Sequence, residues 1–307
     1  MANPSYEVVI AAYNAEAYLA EAIQSVLNSS IPPLRIWVVD DASTDRTREI
    51  ARQFGSVQLL RNEKNQERSY SRNLALARIE ADFVQILDAD DLIHPDKIEL
   101  QLELFEAYPE TDVVFGDVQM FEQSFRKENL QDLRTYEDVD ILEQLIRKNT
   151  FAIHSFLFRR SFFETFGLFR EDMNIGEDRE LYIRSILQGA KYRYSPSALC
   201  YYRMHGEGTI KSRQFEAAYY NAMAIRIHRE GLSAYQDGKY RSVTGESLRT
   251  LARNATIHKR PFEEVKELLK EADACKPYPG IPQKRIYDWI ENLIGAAGLE
   301  WLLRLKP

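Results

Sequence analysis

The alternation of short β-branched runs with helix-like segments over the first 120 residues constrains the fold more than any other feature. Helices are predicted at about 16–28, 44–54, 69–79 and 95–107, the second of them capped by Asp41 or Ser43. The strands around them are predicted at EVVIAAYN, LRIWVVDDAS, VQLLRN, FVQILD and TDVVFGDVQMF. Such alternation is typical of parallel strands joined by crossover helices. We therefore expect an α/β domain on a mainly parallel sheet.

The remainder of the chain changes character twice. The middle predicts a strand, a helix and a turn, then a helix ending at Gly189 and two strands, YRYS and SALCYYRMH. Beyond Arg213 the pattern is helical, at about 214–230, 239–256, 261–274 and 285–305, without a 34-residue repeat. The turn residues of LSAYQDG place a boundary between a domain of residues 1–230 and a C-terminal helical region of residues 231–307.

Composition excludes several classes of protein. Hydrophobic residues make up 45% of the 307 residues, which is enough for a large core, and the net charge of -7 argues against nucleic-acid binding through bulk positive charge. The two cysteines have no disulfide or zinc spacing, so a reducing cytoplasm is expected. No leader pattern and no run of about 18 apolar residues is visible. We expect a cytoplasmic protein that at most attaches to a membrane surface.

Carboxylates follow two of the predicted strands directly. Asp40 and Asp41 end the second strand, and Asp88 and Asp90 end the fourth. Ligands of open parallel sheets bind at the carboxyl ends of the strands, where these acids would repel one another without a cation. A hard divalent cation with oxygen ligands would resolve that repulsion. The plain alternative is that such acids cap helices, and Asp91 or Asp96 is expected to do so.

Several stretches, in order over residues 5–213, resemble the inverting family 2 glycosyltransferases of the GT-A fold. They are VVIAAYNAEAYLAEAIQSVLNSS, IWVVDDASTDRT, SYSRNLALARIEADFVQILDADDLIHPDKI, IGEDRELYIR and YYRMHGEGTIKS. The resemblance implies a Rossmann-like, mixed but mainly parallel sheet, with a nucleotide-sugar half at about 1–120 and an acceptor half at about 121–230. It also implies a UDP-sugar as the favoured donor, Mn²⁺ or Mg²⁺, and transfer to a hydroxyl of a glycan or lipid-linked acceptor.

The resemblance further implies roles for individual residues. Tyr13 and Asp41 would hold the base of the nucleotide, and Arg72 would approach that nucleotide base or the diphosphate. Asp88 would bind the ribose hydroxyls. The full set of nucleotide-sugar contacts would be Ala11, Tyr13, Asp41, Arg72, Asp88 and Ala89. Asp90 and His205 would hold the metal, and Asp178 would be the general base.

Each of these roles has a structural alternative. Asp178 precedes a helical run and could cap it, whereas Arg72 could lie on a solvated helix face, paired with Glu67 or Glu80. The chain also departs from the family pattern, because KNQERSYSRN has no glycine before its SxxRN segment and IAAYN has no proline before Tyr13. The departures bear on the base contacts more than on catalysis.

Three other functions compete with this reading. A catalytically inactive nucleotide-sugar-binding protein of the same fold would lack the metal or base carboxylate, yet Asp90 and Asp178 are both present. An aspartyl-phosphate phosphatase would carry its Asp-X-Asp after the first strand, whereas this chain has it after the fourth. A surface-recruitment protein would use its helical tail as the main functional element.

The C-terminal segment predicts an amphipathic helix. Its apolar residues recur at helical spacing and include Trp289 and Trp301. Residues 237–307 carry 13 Lys and Arg against 10 Asp and Glu, so this region is basic in an acidic chain. Such a stripe would lie in a membrane interface, or pack on the catalytic domain or on a second subunit in a homodimer. The family resemblance implies assembly of a bacterial polysaccharide or lipid-linked glycan, for which we expect a location at the inner face of the plasma membrane.

Overall fold

The computed structural model describes residues 4–122, 125–136, 139–147, 151–173, 175–204, 222–257 and 260–275. These residues form two compact units. The first contains the described residues up to Val139 and from Phe151 to Met204, and the second contains those of 140–147 and 222–275.

The first unit begins with the predicted alternation of strands and helices. Its elements are β1 (Tyr6–Ala12), α1 (Leu19–Leu27), β2 (Arg35–Asp40), α2 (Thr47–Arg52), β3 (Val57–Arg61), α3 (Glu67–Leu76) and β4 (Phe83–Asp88). Strands β1 and β4 are buried along nearly their whole length, as strands covered by helices on both faces must be. Each predicted strand of this region is present, which confirms the first part of the α/β prediction.

The rest of the first unit mixes strands with short helices. Its elements are β5 (Leu92–Ile93), α4 (Lys97–Ala107), β6 (Val113–Glu122), β7 (Leu130–Arg134), β8 (Phe156–Arg159), α6 (Arg160–Phe166), α7 (Glu177–Leu187) and β9 (Tyr192–Met204). The two strands predicted at YRYS and SALCYYRMH are one continuous strand, β9. Aromatic rings from β6, β8, α6 and α7 pack against one another under this part of the sheet.

The sheet runs in the order β3-β2-β1-β4-β8-β6-β9-β5, with β7 paired to β6. Strands β3, β2, β1 and β4 are parallel, whereas β8 is antiparallel to both β4 and β6. The chain passes from β1 to β2 and β3 on one side and then returns to form β4 on the other side of β1. The strand order therefore reverses between β1 and β4. A crevice at the carboxyl ends of β1 and β4 follows from this topology.

Strands β6 and β9 approach unusually closely at Gly116. A Cβ atom on Gly116 would lie 1.8 Å from the carbonyl oxygen of Ala198. The pairing of the two strands shifts between Gly116 and Val118, and Ser197 adopts a positive φ of 67° there. Asp117 accepts hydrogen bonds from the Tyr194 hydroxyl and the Ser197 N–H, which stabilises the irregular backbone.

The second unit is helical. It contains α5 (Ile141–Ile146), α8 (Arg229–Gly238), α9 (Arg241–Ile257) and α10 (Phe262–Ala274). The backbone leaves helical geometry at 235–237, within the predicted LSAYQDG turn. Asp140 begins α5 by accepting from the Glu143 N–H, and its carboxylate also accepts from Lys239 and Tyr240. A core of apolar residues joins α9 and α10: Leu251, Ala252, Ala255, Val265, Leu268 and Leu269.

Two predictions about the C-terminal region have different outcomes. The helices predicted at 239–256 and 261–274 are confirmed as α9 and α10. The helix predicted at 285–305, with Trp289 and Trp301, lies outside the described residues. Within the described ranges, no helix has the length and apolar character needed to cross a membrane.

Candidate functional site

The predicted acids meet at one edge of the sheet because of strand register. Ala12 pairs with Asp40 across β1 and β2, and Ala11 pairs with Asp88 across β1 and β4. The ends of the three strands are therefore level with one another. Half-buried Ala11 lies beside Asp88, as a small residue lining the crevice would.

The loops that follow β1 and β2 are tied together. Asn14, which adopts a positive φ of 48°, accepts a hydrogen bond from the Thr44 N–H and donates its own N–H to the Ser43 hydroxyl. Tyr13, just before it, is 52% exposed. The result is a fixed loop that presents one large aromatic side chain to solvent, which is the arrangement that stacking on a base requires.

Asp41 is buried beneath these loops and does not cap α2, contrary to one of the predictions. Its Oδ1 accepts from Asn62 Nδ2 at 2.7 Å and from the Gln66 N–H at 2.9 Å. The Ser43 hydroxyl is likewise used by Asn14, and it is Asp45 whose carboxylate accepts the Thr47 N–H at the start of α2. Asp41 is 3% exposed, so its carboxylate has a fixed orientation at the end of β2.

Arg72 joins the two sides of the crevice. Its guanidinium donates to Asp88 Oδ1 at 2.7 Å and to Glu177 Oε1 at 2.8 Å. The side chain is 3% exposed, which excludes the structural alternative that it lies on a solvated helix face beside Glu67 or Glu80. Burial is the largest single influence on Asp88 and would raise its pKa. The charge and hydrogen bond of Arg72, together with the nearby His154 and Arg68, outweigh burial and hold that pKa below its ordinary value.

Asp178 follows Glu177 at the start of α7, so the Arg72 contact brings it to the same crevice as Asp88. The helix begins after Gly176, which has a φ of 80° and supplies no side-chain cap. Asp178 Oδ1 accepts the N–H of Arg179. Burial, and then the neighbouring charge of Glu177, raise the pKa of Asp178 to about 6. A carboxyl group with this pKa is ionised at neutral pH and is more basic than an ordinary one.

The turn between β4 and β5 carries the remaining acids. Asp90 is half-buried and Ala89 is buried, whereas Asp91 is 2% exposed and points into the protein. Asp91 Oδ2 lies 3.1 Å from Nδ1 of the fully buried His154, and its other oxygen accepts the N–H of Arg203. Burial, with the charges of Asp90 and Asp88, raises the pKa of Asp91 well above its ordinary value. The prediction that Asp91 caps α4 is wrong, and Asp96 makes no side-chain cap either.

The donor atoms around this turn suit a hard divalent cation. Among the described residues, ligand atoms of Asp88, Asp91 and His154 lie within 4.8 Å of one another. Asp91 and His154 are interior, and burial lowers the pKa of His154 to about 4. Asp88 and Asp90 are both half-buried, so these two carboxylates are more open to an incoming ligand than Asp91 is. The other predicted ligand, His205, lies outside the described residues.

Sequence reasoning missed Glu177, Asp91 and His154 as members of this constellation. Glu177 stands in the IGEDRELYIR stretch beside Asp178, so its position was visible although its partner Arg72, 105 residues away, was not. Asp91 reads equally well as a helix cap. His154 is a lone histidine in an apolar segment and carries no sequence signal for this site.

This architecture is the GT-A fold of glycosyltransferases. S. aureus TarS, solved in complex with UDP, superposes with a TM-score of 0.61 at 20% identity over 89% of this chain and 81% of that one. The mannosyltransferase PcManGT from Pyrobaculum calidifontis, solved with GDP-Man and Mn²⁺, gives a TM-score of 0.60 at 18% identity over 99% of this chain and 88% of that one. At these identities the likeness shows the fold, and it confirms the predicted fold class.

Sequence comparison supplies the family. Residues 7–167 match the model of Glycosyl transferase family 2, and the chain belongs to that family. The Bacillus subtilis protein EpsE is 26% identical over 230 residues, which cover 73% of this chain and 81% of EpsE. The succinoglycan biosynthesis protein ExoU of Rhizobium meliloti is 28% identical over 202 residues, covering 61% and 58% of the two chains. The protein is thus a glycosyltransferase, and the phosphatase alternative is excluded.

Proposed function

We propose that this glycosyltransferase is a metal-dependent inverting enzyme. It would move a sugar from a nucleotide-diphosphate donor to an acceptor hydroxyl in polysaccharide or lipid-linked glycan assembly. The proposal depends mainly on the contacts of Arg72, which donates hydrogen bonds to both Glu177 and Asp88. Because Asp178 follows Glu177 directly, these contacts bring Asp178 close to the end of β4. A donor held at Asp88 would then have a basic carboxylate across the crevice.

The chain's own residues account for donor binding. Tyr13 would stack on the base and Asp41, held by Asn62, would accept from a base N–H. Asp88 keeps one oxygen on Arg72, and its side chain is 34% exposed, so it can accept from ribose hydroxyls. The small residues Ala11 and Ala89 leave room beside it. TarS has been solved with UDP-GlcNAc, which supports a UDP-sugar as the first donor to test.

Asp178 would perform the proton transfer. Its carboxylate removes the proton of the acceptor hydroxyl as that oxygen bonds to the anomeric carbon and the bond from that carbon to the diphosphate oxygen breaks. The electron pair leaves on the diphosphate, and one displacement inverts the configuration at carbon. Asp90 and His205 would hold Mn²⁺ or Mg²⁺, which neutralises charge on the diphosphate when bound. PcManGT, solved with Mn²⁺, supports this choice of ion.

Metal dependence is tested by thermal shift with UDP-, GDP- and dTDP-sugars, with and without Mn²⁺. We expect one donor class to raise the Tm only when Mn²⁺ is present, because ligands that bind the native state stabilise it. Asp90→Ala should abolish that rise. Asp96→Ala is the matched control, since Asp96 lies in the next turn, has a 58% exposed side chain and makes no cap contact.

Two outcomes would contradict the proposal. Full transfer activity in excess EDTA would remove the metal from the mechanism, and a product that retains the anomeric configuration of the donor would exclude inversion. The configuration is read from the anomeric proton coupling in the NMR spectrum of the product. An Asp90→Ala variant that binds donor like Asp96→Ala would show that another group holds the ion.

A further inference from the structure

Arg203, near the end of β9, is buried against the acidic turn. Its side chain is 1% exposed. The guanidinium lies against two aromatic rings, 4.7 Å from the centroid of Tyr18 and 4.5 Å from that of Phe121. Two ring contacts restrict the orientation of a planar guanidinium and hence the directions of its N–H groups.

Those N–H groups are directed at the turn that carries the proposed metal ligand. Nε donates to the main-chain carbonyl of Asp90 at 2.7 Å, and one terminal nitrogen donates to Glu21 Oε2 at 2.7 Å. The main-chain N–H of Arg203 donates to Asp91 Oδ1, also at 2.7 Å. One residue therefore holds the peptide of Asp90 and the side chain of Asp91, and it connects both to α1.

Binding a peptide carbonyl has a different effect from binding a carboxylate. A hydrogen bond to the Asp90 carbonyl fixes the rotation of that peptide and hence the direction in which the Asp90 side chain leaves the turn. Outer-shell contacts of this kind orient metal ligands in proteins. Lysine could supply charge here, but it lacks the planar fork that reaches Asp90 and Glu21 at once.

We propose that Arg203 is a positioning residue for the metal site, acting through the main chain of Asp90 and the side chain of Asp91. The proposal rests on the proposed function, since it assigns Arg203 to the site where Asp90 would hold the ion.

Arg159 provides a matched control within the same unit. It donates to the carbonyls of Thr111 and Pro109, and its guanidinium lies over the rings of Phe83 and Phe105, at 5.2 and 4.9 Å. It resembles Arg203 in chemistry. It pairs with Phe83 at the opposite end of β4 from Asp88, so it cannot act on the acidic turn.

The experiment compares Arg203→Met, Arg203→Lys and Arg159→Met in the full chain. Mn²⁺ affinity is measured by the EPR signal of unbound Mn²⁺ in the presence of UDP and, in parallel, of GDP, and the Tm is recorded for each variant. We expect Arg203→Met to weaken Mn²⁺ binding by about 10- to 100-fold, the usual cost of losing an outer-shell partner. Arg203→Lys should recover part of it. Arg159→Met should lower the Tm with Mn²⁺ affinity unchanged.

A second variant protects the test if Arg203→Met does not fold. Glu21 is 50% exposed and can be changed to Gln without loss of core packing. Glu21→Gln should weaken Mn²⁺ binding a few-fold with little change in Tm. Unchanged Mn²⁺ affinity in Glu21→Gln and in any folded Arg203 variant would overturn the positioning role. A parent protein that binds no Mn²⁺ with either nucleotide would instead overturn the proposed function on which the inference rests.

Discussion

The two sides of the crevice are built by different means. On the side of β1, β2 and β4, the site residues lie at strand ends, and the parallel register alone brings Ala11 level with Asp88. On the other side, Glu177 and Asp178 belong to the first turn of a helix, and an ion pair with Arg72 holds them in place. One side is thus positioned by backbone pairing and the other by a buried charge, so the two should respond differently to mutation.

The largest effect is expected from Asp178→Asn. An amide cannot accept the proton of the acceptor, so the transfer rate should fall by about 10²- to 10⁴-fold. Donor binding should persist, because the donor would be held by the strand-end side. Single-turnover transfer and donor affinity are the two measurements.

Asp172→Asn is the control for that change. Asp172 lies in the loop before α7, its side chain is 66% exposed, and it pairs with Arg170. Its variant should transfer sugar at the parental rate. An Asp178→Asn enzyme as active as this control would rule out Asp178 as the base.

Arg72→Met would break the contact between the two sides. The change leaves buried Glu177 with Arg68 at 3.9 Å as its remaining described ion-pair partner, and it removes the counter-charge of Asp88. Stability should fall by about 3 kcal/mol, the lower end for breaking a buried pair. Denaturant unfolding measures it.

The surface pair of Arg160 and Glu164 is the comparison for Arg72. Their side chains are 48% and 61% exposed, so Arg160→Met should cost less than about 1 kcal/mol. Equal losses in the two variants would mean that Arg72 does not hold the second side in place.

The smallest effect concerns pH. Because the pKa of Asp178 is raised to about 6 from 3.8, its ionised form accumulates, and protein stability falls, as the pH rises through that interval. Transfer should therefore rise with pH up to about 6 and then level off. Glu177→Gln removes the charge that is the second cause of the raised pKa, so the acid limb of kcat/KM should move to lower pH. If the acid limb of kcat/KM does not move in Glu177→Gln, the limb reports the ionisation of a group other than Asp178.

The strand-end side of the crevice, at β1, β2 and β4, could be predicted from the sequence. The contacts that position the other side, at the start of α7, largely could not. FVQILD predicts β4 residue for residue, because a buried parallel strand is a mainly apolar run, here with one buried Gln85, that ends where charged residues begin. Contacts between remote residues leave no such pattern. The Asn62 side chain determines the orientation of Asp41, and the Arg72 guanidinium locates Glu177, although neither pair is close in sequence.

Strand β9 shows why turn chemistry misled the prediction in one place. Pro196 and its serine neighbours are typical of a turn, so two strands were predicted. Asp117 of the neighbouring strand accepts from Ser197 and Tyr194, and the chain absorbs the irregularity without leaving the sheet. The two-residue strand β5 was missed as well, because Leu92–Ile93 is too short to show a period.

The close approach of β6 and β9 at Gly116 limits which substitutions this sequence can accept during evolution. Any side chain at position 116 would collide with the main chain of Ala198, and a main-chain atom cannot be moved by a substitution at its own position. Glycine could be replaced at position 116 only after the close pairing of β6 and β9 had been rebuilt. Ala198 and Arg203 lie on the same strand, β9. Rebuilding the strand pairing at Ala198 would therefore also displace Arg203, which contacts the acidic turn.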